Sequence, residues 1–400
     1  MLTRMEAFPI GAGASLEDLD ENPHALLARL REQEPVSWLP VLEGWLVTRR
    51  DVAMQVMNDA ATFTVDDPRF STGQVVGSSM LTLDGTEHKR HREPFTQPFR
   101  LAAVRERFTD VVADETERLI DAIETEGATD LRRTLTGPLA AAIVTNALGL
   151  EDADTHRVLG WYQRIVAAVT DITAGQPLSA SGREAYAALA DAIGPALDRE
   201  PAASLLAAAA SQAGGLERER VISNAAVMLF GGIETTDGMI ANAVLHLLTH
   251  PEQLALVQDD SDLLPNAIEE SLRLEPAAAV VDRYATADVE LAGAPIRSGE
   301  LVRISISGAN RDPAVFPDPD RFDVRRENAH RHAAFAHGPH VCIGMHLARL
   351  EAHTAVERLL RRLPELRLAS PAEPRGLVFR KPPELLVTWE AGPARAPPGP

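Results

Sequence analysis

The chain has 400 residues, 45% hydrophobic and 24% charged, ordinary globular proportions that exclude a disordered or low-complexity chain. Acids outnumber Lys and Arg 58 to 39, a formal net charge of −19, and such a surface repels phosphate backbones, so no nucleic-acid partner is expected. The one cysteine, Cys342, cannot close an internal disulfide, and no apolar run reaches the ~18 residues of a membrane helix; a soluble, cytoplasmic protein without a membrane is expected.

Residues 1–20 are expected to be partly loose, residues 21–390 to form a single domain, and the Pro- and Ala-rich tail 391–400 to be disordered. Residues 24–33 read as an amphipathic helix, and 36–39 and 45–48 as short strands around Gly44. Helices follow over 104–126, 137–150 and 154–172, with breaks at Gly127, Gly149 and Gly175 to Pro177. Residues 177–182 show neither helical nor strand period, which fits a mobile lid or an ordinary surface loop. The longest helix is predicted over 217–249, roughly 50 Å at 1.5 Å per residue. It is apolar almost all round from Ala225 to Leu248 and should lie buried. Strands are predicted at 289–291 and 301–306, a Pro- and Asp-rich loop at 310–323, and a final helix after Cys342. The fold class is therefore mainly α with a small β portion near both ends, an α+β architecture around a long buried helix.

Several familiar motifs are absent. Gly11-Ala-Gly13 has Leu16 where a dinucleotide loop needs its third glycine, and there is neither a Walker A sequence nor His-Glu-x-x-His. Chemistry concentrates in Phe335-Ala-His-Gly-Pro-His-Val-Cys-Ile-Gly344, where Cys342 sits between a Gly/Pro turn and a helix start. Amides of the turn and of the helix N-terminus favour thiolate there. A free cysteine is also commonly a small buried hydrophobe, and the residues alone leave both readings open. The nearby His330, His332, His337, His340 and His346 lack a metal-ligand spacing. A second unusual segment is Gly231-Gly-Ile-Glu-Thr-Thr236 in mid-helix. Two glycines there cost about 1 kcal/mol each against alanine, and Glu234 stands amid Met228, Leu229, Phe230, Ile233, Met239 and Ile240. Such local conflict is expected where function requires it.

Phe335, Gly338, His340, Cys342 and Gly344 match Phe-x-x-Gly-x-(His/Arg)-x-Cys-x-Gly, the haem-binding signature of the cytochrome P450 family. Four further segments match in the family's order, so the chain resembles that family over roughly residues 20–390. The resemblance implies the P450 fold, with haem b (iron protoporphyrin IX) as cofactor and Cys342 as thiolate ligand of its iron. Glu270-Ser-Leu-Arg273 and Arg321 of Pro319-Asp-Arg-Phe322 would form a structural ion network under the cysteine loop. Gly231 would admit the cofactor, while Glu234 and Thr235 would deliver protons. His88, Arg92, Arg283 and His340 would hold the haem propionates. The pocket would include Met80, Phe230, Ala278, Ala279, Val280 and Phe379.

The implied activity is a bacterial-type haem-thiolate monooxygenase taking O2 and an apolar or aromatic small molecule of natural-product type, with hydroxylation, epoxidation or dealkylation as the outcome. Residues 88–107 carry a local net charge of +4 and 325–349 one of +3, on an otherwise acidic chain. In the family both lie on the cysteine side, so a ferredoxin-type carrier is expected near Arg100, Arg105 and Arg107. Two alternatives stand beside this reading, a peroxide-driven peroxygenase and a non-catalytic haem-binding recruitment module. The acid–alcohol pair Glu234-Thr235 argues against the first, and the presence of all the catalytic positions against the second.

Overall fold

The computed structural model describes residues 4–150, 155–173, 176–200, 204–211 and 216–391. Its axis is the helix Arg218–Thr249, 32 residues long and buried along most of its length from Val221 to Leu247. The chain stops being helical at His250 because the proline that follows disfavours helical backbone at the residue before it. Against this rod pack the helices Gly137–Ala147, Leu264–Leu274 and Met345–Arg362, and Leu101–Asp121 covers the last of these. Leu, Ile, Val and Phe from all of them share one apolar cluster.

The helices Thr155–Thr173 and Ala180–Leu197 lie across the other side. A Cβ on Gly182 would come 2.4 Å from the Ala168 Cβ, so glycine allows their close approach. Of the segment 177–182 expected as a lid or loop, 177–179 are irregular, and 180–182 are corrected to helix: Ser179 accepts the Gly182 N–H and starts the second helix at Ala180.

The β portion is a five-stranded sheet in which Val36–Leu39 pairs with Gly44–Val47, which runs parallel to Leu301–Ser305; Val280–Ala285 and Phe63–Thr64 complete it. Register pairs Val281 with Ile304 and Arg283 with Val302. The first residues described are tied down rather than loose. They form short helices at Arg4–Ala7, Pro9–Ala12 and Leu16–Asp20, and the Glu34 carboxylate accepts the N–H groups of Ile10 at 2.8 Å and Gly11 at 3.1 Å. Residues 392–400 of the expected tail lie outside the described residues. No helix among the described residues is long and apolar enough to cross a membrane.

Candidate active site

Cys342 lies at the end of a tight loop. Gly338 has φ +71°, and a Cβ there would stand 2.5 Å from the Met57 carbonyl oxygen, so only glycine lets the loop pass. The Cys342 N–H donates to the Phe335 carbonyl at 2.8 Å. Protein surrounds the sulfur at longer range, yet the residue keeps accessible surface. Burial pushes the thiol up from its ordinary value, against the Gly344 N–H, Arg92 and Arg349, which favour thiolate. In the protein alone, desolvation outweighs the amide and the two arginines. Phe335 is fixed beside the loop, with the Arg349 guanidinium 4.5 Å from its ring centroid and His332 at 5.9 Å. Glu269 holds both neighbours, at 2.6 Å to Arg349 and 3.1 Å to His332.

The ion network under this loop differs in one member from the sequence expectation. Arg273 donates to Glu270 through Nε at 2.7 Å and Nη2 at 2.8 Å, with both side chains fully buried. The third partner is Arg326, whose Nε lies 2.9 Å from Glu270 Oε1. The Arg321 side chain is exposed; only its carbonyl takes part, accepting from Arg273 and Arg326 at 3.1 Å each. Arg326 also donates to the Pro317 and Asp318 carbonyls, so this guanidinium ties down the loop on which Arg321 lies.

His88, Arg92, Arg283 and His340 stand together. The two imidazoles stack with centroids 4.3 Å apart, and His340 Nε2 lies 2.7 Å from Asp84. Burial, with His340 and Arg92 adding, pushes the His88 imidazole down to about 4. Its Nε2 is buried without a partner. Arg283 is buried and donates to the Asp282 carbonyl at 2.7 Å; Arg92 donates to the Val341 carbonyl at 2.6 Å. Burial of Asp84 is outweighed by hydrogen bonds from His340 and Thr64, which lower its carboxyl to about 2.

The long helix runs unbroken through 231–236. Its two glycines divide the work. A Cβ on Gly232 would meet Val144 at 3.0 Å, so that glycine serves helix packing, whereas a Cβ on Gly231 would meet nothing within 4 Å. The Thr235 hydroxyl donates to the Gly231 carbonyl at 2.5 Å. Glu234 is not a lone acid among apolar groups: Lys381 Nζ stands 2.7 Å from it and 2.8 Å from Asp237. Asp237 also accepts from Arg132 at 2.6 Å and from the Thr136 hydroxyl at 2.5 Å. Burial works to raise the Asp237 carboxyl, and Lys381 and Arg132 outweigh it, so the group is lowered.

Among the pocket residues, Phe230 and Phe379 meet edge to face at 5.6 Å. Ala278 pairs with Phe379, and the Ala279 N–H donates to the Val378 carbonyl at 2.9 Å; Val280 continues this segment into the sheet. Met80 is buried, and its N–H is fixed by Asn224 of the long helix at 2.7 Å. The nearby charges are already used: Asp67 pairs with Arg69 at 2.8 Å, and Asp282 with Arg303 at 2.6 Å.

Four site residues escaped the sequence reading. Lys381 is one of only two lysines in the chain, a signal available from composition alone. Asp237 stands three positions after Glu234, on the same helical face. Asp84 immediately precedes the helix Gly85–Thr96, and Arg326 lies five residues after Arg321. Haem fits what is present. Cys342 keeps accessible surface, a Cβ on Gly231 would meet nothing within 4 Å, and His88, Arg92, Arg283 and His340 stand together with the buried His88 Nε2 unpartnered, a set suited to anionic groups.

Comparison with known proteins agrees. A family model described as Cytochrome P450 matches residues 195–367. The chain is 35% identical to nocardicin C N-oxygenase of Nocardia uniformis subsp. tsuyamanensis, over 97% of this chain and 99% of that protein. It is 34% identical to the mycinamicin IV hydroxylase/epoxidase of Micromonospora griseorubida, over 90% and 94%. Among solved structures, CalO2 superposes with a TM-score of 0.84 at 30% identity, covering 93% of this chain and 97% of that one. The fit of the site to haem and these relatives lead to one conclusion: the chain belongs to the cytochrome P450 family, and is an oxidoreductase, a monooxygenase with haem b as cofactor.

Proposed function

We propose that this monooxygenase oxidises an apolar or aromatic small molecule of natural-product type by hydroxylation, epoxidation or dealkylation, with electrons from a ferredoxin. The observation that carries the substrate class is the pairing of Asp67 and Asp282 with arginines. It leaves Met80, Phe230, Ala278, Ala279, Val280 and Phe379 as a wall with little to recognise beyond shape and apolar surface. Of the two relatives, one is named as a hydroxylase/epoxidase of mycinamicin IV, which supports the first two outcomes, and the other as an N-oxygenase of nocardicin C.

When bound, haem supplies the activation of O2 from which one oxygen atom enters the substrate. Cys342 would ligate its iron, with Phe335 and Gly344 shaping the loop. His88, Arg92, Arg283 and His340 would hold the propionates, and Asp84 would orient His340. Thr235 Oγ1 has its proton engaged by the Gly231 carbonyl, so its lone pairs face outward as an acceptor for a donor in the pocket. Glu234, one position earlier on the helix, would take protons from solvent and pass them inward. The test is turnover with 18O-labelled O2, NADPH and a surrogate ferredoxin chain. Thr235→Ala is expected to cut product per NADPH by about tenfold or more, with the electrons lost as hydrogen peroxide. Turnover on peroxide alone, unchanged by the substitution, contradicts this reading.

The carrier would dock on the cysteine side. Arg100 and Arg105 are exposed at the start of the helix Leu101–Asp121, and the Arg107 guanidinium lies 5.8 Å from the Phe108 ring centroid. That helix packs on Met345–Arg362, and the charge of Arg105 is felt by His346, four residues beyond Cys342. Arg105→Glu with Arg107→Glu is expected to slow reduction by ferredoxin about tenfold at low salt, with the difference shrinking as salt screens it. Equal rates in stopped flow would place the dock elsewhere.

A further inference from the structure

The hairpin 375–381 lies along one stripe of the long helix and is anchored by the chain's rare lysine. Arg375 and Lys381 exchange backbone hydrogen bonds at 3.0 and 3.2 Å, closing a turn around Gly376, whose φ is +116°. Side chains alternate along the extended strand. Arg380 points one way and is buried on Glu275 at 2.8 Å, with the carbonyls of Asp20, Glu21, Pro374 and Gly376 around it. Phe379 and Lys381 point the other way, onto the helix. Phe379 meets Phe230, and Lys381 meets Glu234 and Asp237.

These helix positions, 230, 234 and 237, share one face. Gly238 extends that face. A Cβ there would lie 3.5 Å from Lys381 Cβ and Cδ and 2.9 Å from the Ala277 Cβ, so the missing side chain lets the lysine stem lie flat on the helix. The two acids are held unequally. Asp237 keeps Arg132 and Thr136 if the ammonium leaves, whereas Lys381 is the one ion-pair partner of Glu234 among the described residues.

We propose that Lys381 is a positioning residue that holds the Glu234 carboxylate and couples it to filling of the substrate slot through Phe379. The proposal rests on the reading of Glu234 as proton carrier given above. A molecule that presses Phe379 off Phe230 shifts the strand that also carries Lys381, and the contact that yields is the one to Glu234. An empty slot thereby keeps the acid ion-paired, and a filled one frees it to exchange protons.

With only Lys89 and Lys381 present, holoenzyme grown on 13Cε-labelled lysine gives two lysine side-chain resonances, assigned with Lys89→Arg. The Lys381 resonance is expected to shift in Glu234→Gln and on adding 4-phenylimidazole, a small aromatic probe for the slot, while exposed Lys89 stays still. In Phe379→Ala the shift caused by the probe is expected to be lost. With a surrogate ferredoxin chain and the slot empty, Lys381→Met, which leaves the acid free, is expected to raise hydrogen peroxide release and alter its solvent isotope effect, with Lys381→Arg restoring both. A Lys381 resonance indifferent to Glu234→Gln, or one that follows the probe equally in Phe379→Ala, overturns the coupling. If Glu234→Gln itself leaves the peroxide yield unchanged, the proton-carrier reading fails instead.

Discussion

Replacing Glu270 with alanine is expected to destabilise the protein by about 3–5 kcal/mol, a large part of the 5–15 kcal/mol that holds a typical domain folded. Glu270 and Arg273 are fully buried, and the carboxylate also receives Arg326 and the Asp323 N–H at 3.1 Å. Without it two guanidiniums remain in a low-dielectric interior, and their other partners are neutral carbonyls of Asn310, Pro317, Asp318, Pro319 and Arg321. The damage falls on the segment leading to the cysteine loop, so haem retention should fall along with the denaturant midpoint. Arg326→Ala is expected to follow the same course, since it breaks the same buried pairing. Arg321→Ala, at an exposed side chain, should stay within about 0.5 kcal/mol of the parent. Denaturant melts of the three variants decide between the arginines. An Arg321→Ala as damaging as Arg326→Ala would contradict the network as drawn.

What the sequence disclosed follows from which interactions are local. The long helix was legible because its apolar residues run through about seven turns from Ala225 to Leu248 and the helix ends at His250-Pro251; the structure differs by one residue at its start. The cysteine loop was legible because its glycines and Cys342 lie within ten positions, and the close pass of Gly338 over Met57 explains why one of them must be glycine. The partners of Glu234 were not legible. Lys381 lies 147 positions away in sequence, and only the alternation of the hairpin and the gap at Gly238 bring it onto the helix. The choice between Arg321 and Arg326 was hidden for a related reason. Arg321 lies in the proline-rich loop and Arg326 just beyond it, and only the folded path shows that Arg321 turns its carbonyl inward and its side chain to solvent. The order at residues 4–20 depends on Glu34 capping amides more than twenty positions upstream, a contact that composition does not report.

The second large effect concerns Cys342. It is the one thiol in the chain, and among the described residues no cluster of three or more His, Cys, Asp or Glu can hold a metal ion in its place. Burial raises the thiol against the pull of Gly344, Arg92 and Arg349, and coordination to a metal would favour the thiolate. Serine at this position keeps the loop's shape and removes the soft anionic ligand. Cys342→Ser is therefore expected to fold but to lose the thiolate signature altogether, with haem content reduced or ligated differently.

The most direct measurement is the carbon monoxide difference spectrum of the dithionite-reduced holoprotein beside that of Cys342→Ser. A strongly red-shifted Soret band in the parent, absent from the variant, is the result predicted for thiolate ligation through Cys342. A band typical of histidine-ligated haem in the parent, or an unchanged red-shifted band in the variant, would contradict it.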